Sequence, residues 1–212
     1  MQGGRCGWLG HPVLWRRHGV RVIAGALGGR LLRVPAGGTR PTSGLVRGAL
    51  FAALQTMPVG RADRVPFEGW RVLDLYAGSG ALGIEALSRG CAEAWFVEQA
   101  PQAMAVLRQN LAALALTDRA HTCACGVDQA LRSRLSGPFE LVLADPPYAS
   151  GAAGVLQRLA VAGLVVPGGL VALEHATREE LPERGGTLQR VWHRAHGGTA
   201  LTVYAAAHTR VG

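Results

Sequence analysis

Arg71-Val-Leu-Asp-Leu-Tyr-Ala-Gly-Ser-Gly-Ala-Leu-Gly83 decides the fold of this 212-residue chain. An apolar run, a glycine-rich turn and a helical pattern from Ala81 to Arg89 spell a strand, a tight turn and a helix. Gly78, Gly80 and Gly83 have the spacing G-x-G-x-x-G, which lets backbone approach a ligand closely but occurs in dinucleotide-binding folds as well. A second apolar run, Phe139 to Ala144, ends in Asp145-Pro-Pro-Tyr148. In a doubly wound sheet the carboxyl ends of the strands line one crevice, and ligands bind there. The two motifs are therefore expected to meet over a shared cleft.

Outward from these motifs, strands are expected at Arg71–Tyr76, Ala94–Glu98, His121–Cys125, Phe139–Ala144 and Leu170–His175. Helices are expected at Ala81–Arg89, Pro101–Leu114, Asp128–Leu135 and Ala152–Ala162. Strict alternation predicts a parallel sheet covered on both faces. The tail departs from it: Leu188–His193 and Ala200–Ala205 flank Gly197-Gly198, the signal of an antiparallel hairpin. Seven strands result. Upstream, Val20–Ile23 and Leu31–Val34 read as a β-hairpin joined through Gly25, Gly28 and Gly29. A helix follows through Leu45, Val46, Ala49, Leu50, Ala53 and Leu54, with Thr42 or Ser43 as its N-cap. Residues 57–69, with Pro58, Gly60, Pro66 and Gly69, read as a linker. The expected organisation is a flexible extension over 1–19, a hairpin and helix over 20–69, and a principal domain over 70–212.

Charge is distributed unevenly. The net charge is +8, and every basic side chain other than histidine is arginine. Residues 1–62 hold nine arginines and no acid, so the whole excess lies in the N-terminal third. A concentrated arginine field is the electrostatic signature of a phosphate-backbone partner. The four cysteines lack paired C-x-x-C spacing, and Cys123 and Cys125 read as small buried hydrophobes on one face of a strand. No run reaches the ~18 apolar residues of a membrane span. The start of the chain lacks a continuous apolar segment of the secretory type, so a cytoplasmic protein is expected.

Several polar residues at strand ends suit ligand chemistry. Asp74 stands inside its strand, where it can fix the glycine turn and reach a cationic or amino group. Glu98, at the end of the next strand, can accept both hydroxyl hydrogens of a ribose. Asp128 suits either an adenine amino group or the N-cap of the helix after it. In Asp145-Pro-Pro-Tyr148 the two prolines remove backbone donors and hold the chain extended. A carboxylate and a proline carbonyl then make an acceptor pair for an exocyclic amine, and the Tyr148 ring offers a face for a base to stack on. Such acceptors aim a nitrogen lone pair at an electrophilic methyl group, and positioning with loss of one proton suffices without a metal.

With both motifs in view, the chain resembles the bacterial small-subunit ribosomal RNA guanine-N2 methyltransferases. The resemblance runs from about Val20 to the last strand. Its most discriminating part is N-terminal: Arg21-Val-Ile-Ala-Gly25, Gly29-Arg-Leu-Leu32, Arg40-Pro-Thr42 and Val46-Arg47 through Leu50-Phe51, in that order. The resemblance implies a class I, Rossmann-like α/β fold: a mostly parallel seven-stranded sheet with a C-terminal antiparallel hairpin, plus an N-terminal β-hairpin and helix. It implies S-adenosylmethionine as cofactor and methylation of N2 of guanine 966 of 16S rRNA, within a small-subunit assembly particle, by a monomer. Carried over, Asp74, Tyr76, Ala77, Gly78, Gly80 and Thr42 would contact the cofactor, Glu98 its ribose and Asp128 its adenine. Asp145, Pro146, Pro147 and Tyr148 would hold the guanine, and Arg21, Arg30, Arg40 and Arg47 would face the RNA. Gly44, Leu45 and Gly48 depart from the family, which usually has an acid and a base at the first two positions and Glu at the third. An amino-methyltransferase acting on adenine N6 or cytosine N4, an NAD-dependent oxidoreductase and a non-catalytic RNA-binding assembly factor are the competing readings.

Overall fold

The computed structural model describes residues 19–35, 43–57, 66–133, 135–147 and 151–207. The expectations placed on residues 1–18, on Arg40 and Thr42, and on Tyr148 lie outside these residues.

Strand β3 (Arg71–Leu75) is central and buried on both faces, as its unbroken apolar sequence requires. The chain then alternates α2 (Ala81–Ser88), β4 (Glu93–Val97), α3 (Pro101–Ala113), β5 (Ala120–Cys123), α4 (Val127–Ser133), β6 (Phe139–Ala144) and α5 (Ala152–Ala162). After β7 (Val165–Ala176) it turns antiparallel through β8 (Arg184–Gly185), β9 (Leu188–His196) and β10 (Thr199–Ala206). The sheet order is β5-β4-β3-β6-β7-β10-β9-β8. Pairing is parallel from β5 to β7 and antiparallel beyond. From β3 the chain first builds outward to β5, then returns to the other side of β3 with β6. That reversal opens a crevice at the carboxyl ends of β3 and β6, the position where such sheets bind ligands. One apolar cluster packs on each face, with Phe96, Leu107 and Leu143 in the first and Leu75, Val142 and Leu156 in the second.

The sheet has eight strands where seven were expected. The extra one, β8, is a two-residue arginine–glycine pair against Gln189 and Leu188, too short and too polar to leave a period in the sequence. Strand β7 begins five residues earlier than expected, at Val165. It pairs there with Phe139 and runs through Pro167-Gly168-Gly169, a stretch whose composition argues against a strand; the register with β6 shifts between Phe139 and Leu141. Strand β5 stops at Cys123, because Cys125 N donates back to the Cys123 carbonyl.

Ahead of the sheet, β1 (Val20–Arg21) and β2 (Leu31–Leu32) form the expected hairpin as a separate two-stranded sheet, with α1 (Gly44–Thr56) after it. Ser43 caps α1, its hydroxyl accepting from Val46 N at 3.2 Å. The hairpin strands are shorter than expected because their outer N–H groups go to side chains of the main sheet's helices. Ile23 and Ala24 donate to Glu85, and Arg33 donates to Asn110. Val22, Leu32, Leu50, Phe51 and Leu54 join the same apolar cluster as Phe96 and Leu143, so residues 19–35 and 43–57 share a core with the sheet.

Candidate functional site

Register aligns the strand ends. Leu75 is opposite Val97 on one side and Ala144 on the other. Tyr76, Glu98 and Asp145 are the next residues of three adjacent parallel strands, and so leave the sheet side by side. The glycine turn and the Asp-Pro-Pro segment thus start from neighbouring strand ends, close enough for the Asp145 charge to act on Asp74, although Gly78 and Asp145 are far apart in the chain.

The turn itself is held by backbone. Tyr76, Gly78 and Gly80 all have positive φ, at 59°, 54° and 84°. A left-handed tyrosine is sterically costly and concentrates at functional sites. Ala77 N donates to the Val97 carbonyl at 3.0 Å and Gly80 N to the Ala77 carbonyl at 2.7 Å. Gly83 explains the third glycine of the motif. A Cβ there would lie 2.3 Å from the Phe96 ring and 3.1 Å from Asp74 Oδ2, so a side chain cannot enter without moving β4.

Asp74 is buried, and its Oδ2 accepts from Gly83 N at 2.8 Å, tying the strand to the first turn of α2. Burial pushes its carboxyl up to about 7; the Gly83 hydrogen bond opposes this, while the nearby Asp145 and Glu98 carboxylates add to it. Glu98 is half-buried and accepts from Gly78 N at 2.8 Å and from Ala100 N at 2.7 Å, joining the turn to the end of β4. A carboxylate has about four acceptor sites, so two remain for a ligand. Asp145 is half-buried, Pro146 buried and Pro147 exposed.

Two expected roles change. Arg47 is 1% exposed, with Nε 3.9 Å from Glu85 Oε2 and Nη2 donating to the Arg21 carbonyl. It is a buried strut between α1, the hairpin and α2, not part of an RNA-facing surface, because the helical period puts position 47 on the apolar face with Leu50, Phe51 and Leu54. Asp128 lies inside the first turn of α4 and pairs with Arg158 at 2.9 Å. The Gly126 carbonyl, accepting from Gln129 N and Ala130 N, starts that helix instead, so the N-cap reading of Asp128 fails. Arg21 and Arg30 are exposed beside the hairpin, donating to the carbonyls of Gly29 and Ala113 respectively.

Sequence reasoning missed Asn110 and Glu85. Asn110 is buried on α3; it donates to the carbonyls of Ser79 and Arg33 at 2.9 and 3.0 Å and accepts from Arg33 N at 2.9 Å. It therefore fastens the glycine turn to the N-terminal segment. The available signal was a polar residue at apolar helical spacing from Leu107 and Leu111.

Comparison with known proteins gives this geometry a context. The family model described as Conserved hypothetical protein 95 matches residues 20–205. YlbH of Bacillus subtilis, provisionally designated an rRNA methyltransferase, is 35% identical over 190 residues, covering 87% of this chain and 98% of its own. The ribosomal RNA small subunit methyltransferase D of Escherichia coli strain K12 is 36% identical over 133 residues, 62% of each chain. Among solved structures, an Escherichia coli protein provisionally designated methyltransferase yhhF superposes with a TM-score of 0.77 at 29% identity, over 91% of this chain and 100% of that one. The fold is that of the class I methyltransferases, and fold and relatives together imply S-adenosylmethionine as the methyl donor. The residues fit that donor. Acidic groups crowd the strand ends where its sulfonium and ammonium would lie, and the Glu98 carboxylate keeps acceptor sites that a ribose could use. The donor supplies an electrophilic methyl group.

Proposed function

Since the chain belongs to the Conserved hypothetical protein 95 family, we propose that it methylates the exocyclic N2 of a guanine in small-subunit ribosomal RNA, guanine 966 by resemblance. The observation that carries this reading is the alignment of Tyr76, Glu98 and Asp145 just past the ends of adjacent strands, which supports taking the Asp-Pro-Pro segment as amine-accepting and the neighbouring glycine turn as the donor's. Glu98 takes the ribose hydroxyls, and the turn from Tyr76 through Ala77 and Gly78 to Gly80 lies along the donor. Asp128, half a helical turn into α4, serves the adenine side, and Thr42 closes over the cofactor. The Asp145 carboxylate and the Pro146 carbonyl accept the two amine hydrogens, Pro147 keeps the segment extended, and Tyr148 stacks on the base. The nitrogen lone pair is thereby aimed at the methyl carbon, and one amine proton is lost. Catalysis of this kind is positioning, which well-oriented sites supply efficiently.

Arg21, Arg30 and Arg40 supply the phosphate contacts of a surface that follows from the arginine-rich, acid-free N-terminal third. The substrate is the RNA within an assembling small-subunit particle, the enzyme acts as a monomer, and the compartment is the cytoplasm. Among the described residues no helix is long and apolar enough to cross a membrane.

Asp145→Ala tests the reading: methyl transfer should fall below detection while S-adenosylmethionine affinity stays within a few-fold, since Asp74, Glu98 and the glycine turn remain to hold the donor. Equal loss of both would remove Asp145 from the acceptor site. Mapping the methylated nucleotide in ribosomal RNA from strains with and without the gene then identifies the base. A missing methyl at an adenine or cytosine would overturn the guanine assignment.

A further inference from the structure

Cys123 and Cys125 stand at the margin of the cleft with no role in the chemistry above. In an extended strand, residues two apart share a face but stay roughly 6.6 Å apart, twice the rise per residue. Here Cys125 N donates to the Cys123 carbonyl at 3.1 Å, and this tight turn brings the two sulfurs to 3.0 Å. Both residues are half-buried and within reach of small solutes, contrary to the buried pair expected from sequence. Cys91 differs: it is buried, and desolvation pushes its thiol up to about 12, which leaves it protonated and unreactive. A disulfide needs its sulfurs at about 2.05 Å, a movement of only about 1 Å from where they sit. Bridging a metal would instead require further donors, and the described residues contain no group of three or more histidine, cysteine or acidic side chains placed to hold an ion.

We propose that Cys123-Ala124-Cys125 is an oxidation site that closes to a disulfide under peroxide and weakens the cofactor cleft when it does. One thiolate attacks the peroxide O–O bond, giving a sulfenic acid and releasing one water after proton uptake. The second thiolate displaces the sulfenic oxygen, which leaves as a second water, and the S–S bond forms. The two thiols lose two electrons and the peroxide gains them. The effect reaches the cleft through backbone. The Cys123 carbonyl accepts from Glu98 N at 3.2 Å, and Glu98 in turn holds Gly78 N. One residue past Cys125, the Gly126 carbonyl accepts from Gln129 N and Ala130 N in α4. Drawing the sulfurs together twists the carbonyls of Cys123 and Gly126 away from these donors.

The effect on the cleft rests on reading it as the S-adenosylmethionine site; formation of the disulfide does not. The test treats the full chain with hydrogen peroxide and measures intact mass, thiol alkylation, peptide linkage and S-adenosylmethionine affinity by calorimetry. The expected result is a loss of two hydrogens, a Cys123–Cys125 linked peptide and an affinity lower by about fivefold, the equivalent of one backbone hydrogen bond. Dithiothreitol should restore both, and Cys125→Ser should abolish both responses while binding S-adenosylmethionine like the reduced protein. Persistence of both thiols, oxidation of one to sulfinic acid, or retention of zinc by the native chain but not by Cys125→Ser would overturn the site. A disulfide with unchanged affinity would overturn the coupling. Reduced protein that fails to bind S-adenosylmethionine would strike the cofactor reading instead, with the mass measurement still deciding the disulfide.

Discussion

Two carboxylates are buried within eleven residues of each other, and their surroundings are opposite. Glu85, on α2, is fully buried among cations: Arg89 donates to it at 2.8 Å and the Arg47 guanidinium lies at 3.9 Å. It also accepts from Ile23 N at 2.7 Å and Ala24 N at 3.1 Å. Asp74, on β3, is equally buried, but the charges that shift it belong to other acids, Asp145 and Glu98. Glu85 is a neutralised clamp that docks the N-terminal segment. Asp74 is a buried acid whose charged neighbours are themselves acids, the setting that the proposed cationic donor would relieve. Equal burial therefore leaves the two carboxylates in opposite electrostatic settings, and the sign of the neighbouring charge is what separates them.

The largest effect should come from breaking the clamp. Glu85→Ala would strand two backbone N–H groups and two arginines, and removal of one partner from a buried ion pair costs roughly 3–5 kcal/mol. Against a typical ~5–15 kcal/mol of total stability, that is a severe loss, measurable by urea denaturation. Glu85→Gln, which keeps the acceptor oxygen, should cost less. A change within about 0.5 kcal/mol for Glu85→Ala would show that the hairpin docks by its apolar contacts alone.

Asn110 sharpens the comparison because it joins the two regions. Its side chain completes the backbone of Arg33 on one side and of Ser79, in the glycine turn, on the other. Asn110→Ala should cost roughly 1–3 kcal/mol, the penalty of leaving buried polar groups unpaired. It should also weaken S-adenosylmethionine binding, because the turn loses its tether. Loss of stability with unchanged affinity would confine Asn110 to docking.

The arginines of the N-terminal third divide in the same way. Arg30→Ala removes an exposed guanidinium and should lower the salt dependence of RNA binding by about one unit of slope while leaving the fold intact. Arg47→Ala should instead destabilise the protein, since it leaves Glu85 with one cation fewer. If Arg47→Ala changed only the salt slope, the buried position of that side chain would be wrong.

These contrasts also mark what could be read from the sequence. The parallel sheet, its helices and the antiparallel tail were legible because apolar period and glycine punctuation are local properties; α5 and β6 fall on the residues expected. The adjacency of the strands that end at Tyr76 and Asp145 was legible from the alternation of strands and helices. Arg47 was not. An arginine in a basic segment reads as surface until the helix face it occupies and the partner it meets, 38 residues later at Glu85, are both known. Cys125 was misplaced for a similar reason: alternation predicts a continuing strand, while a single backbone hydrogen bond to Cys123 ends it. The shortened hairpin follows the same pattern, since the acceptors that draw its N–H groups away sit on α2 and α3.

Asp74 gives the most diagnostic effect. Its carboxyl rises from 3.8 when exposed in the unfolded chain to about 7 in the fold. Between roughly pH 4 and pH 7 the folded protein thus keeps a proton that the unfolded chain has released, so this group makes stability fall as pH rises. Its contribution is fully present below the unfolded value and lost by the time pH passes the folded one. Asp74→Asn retains an oxygen for Gly83 N and does not titrate, so wild type should lose stability relative to the variant between about pH 4 and about pH 7. The slope cannot exceed about 1.4 kcal/mol per pH unit for one proton. Paired urea titrations measure it, and wild type gaining on the variant over that range would mean the carboxylate is ionised throughout. A cationic ligand in the cleft must act the other way, favouring the ionised form. S-adenosylmethionine affinity should therefore rise from pH 6 to pH 8 in wild type and stay flat in Asp74→Asn.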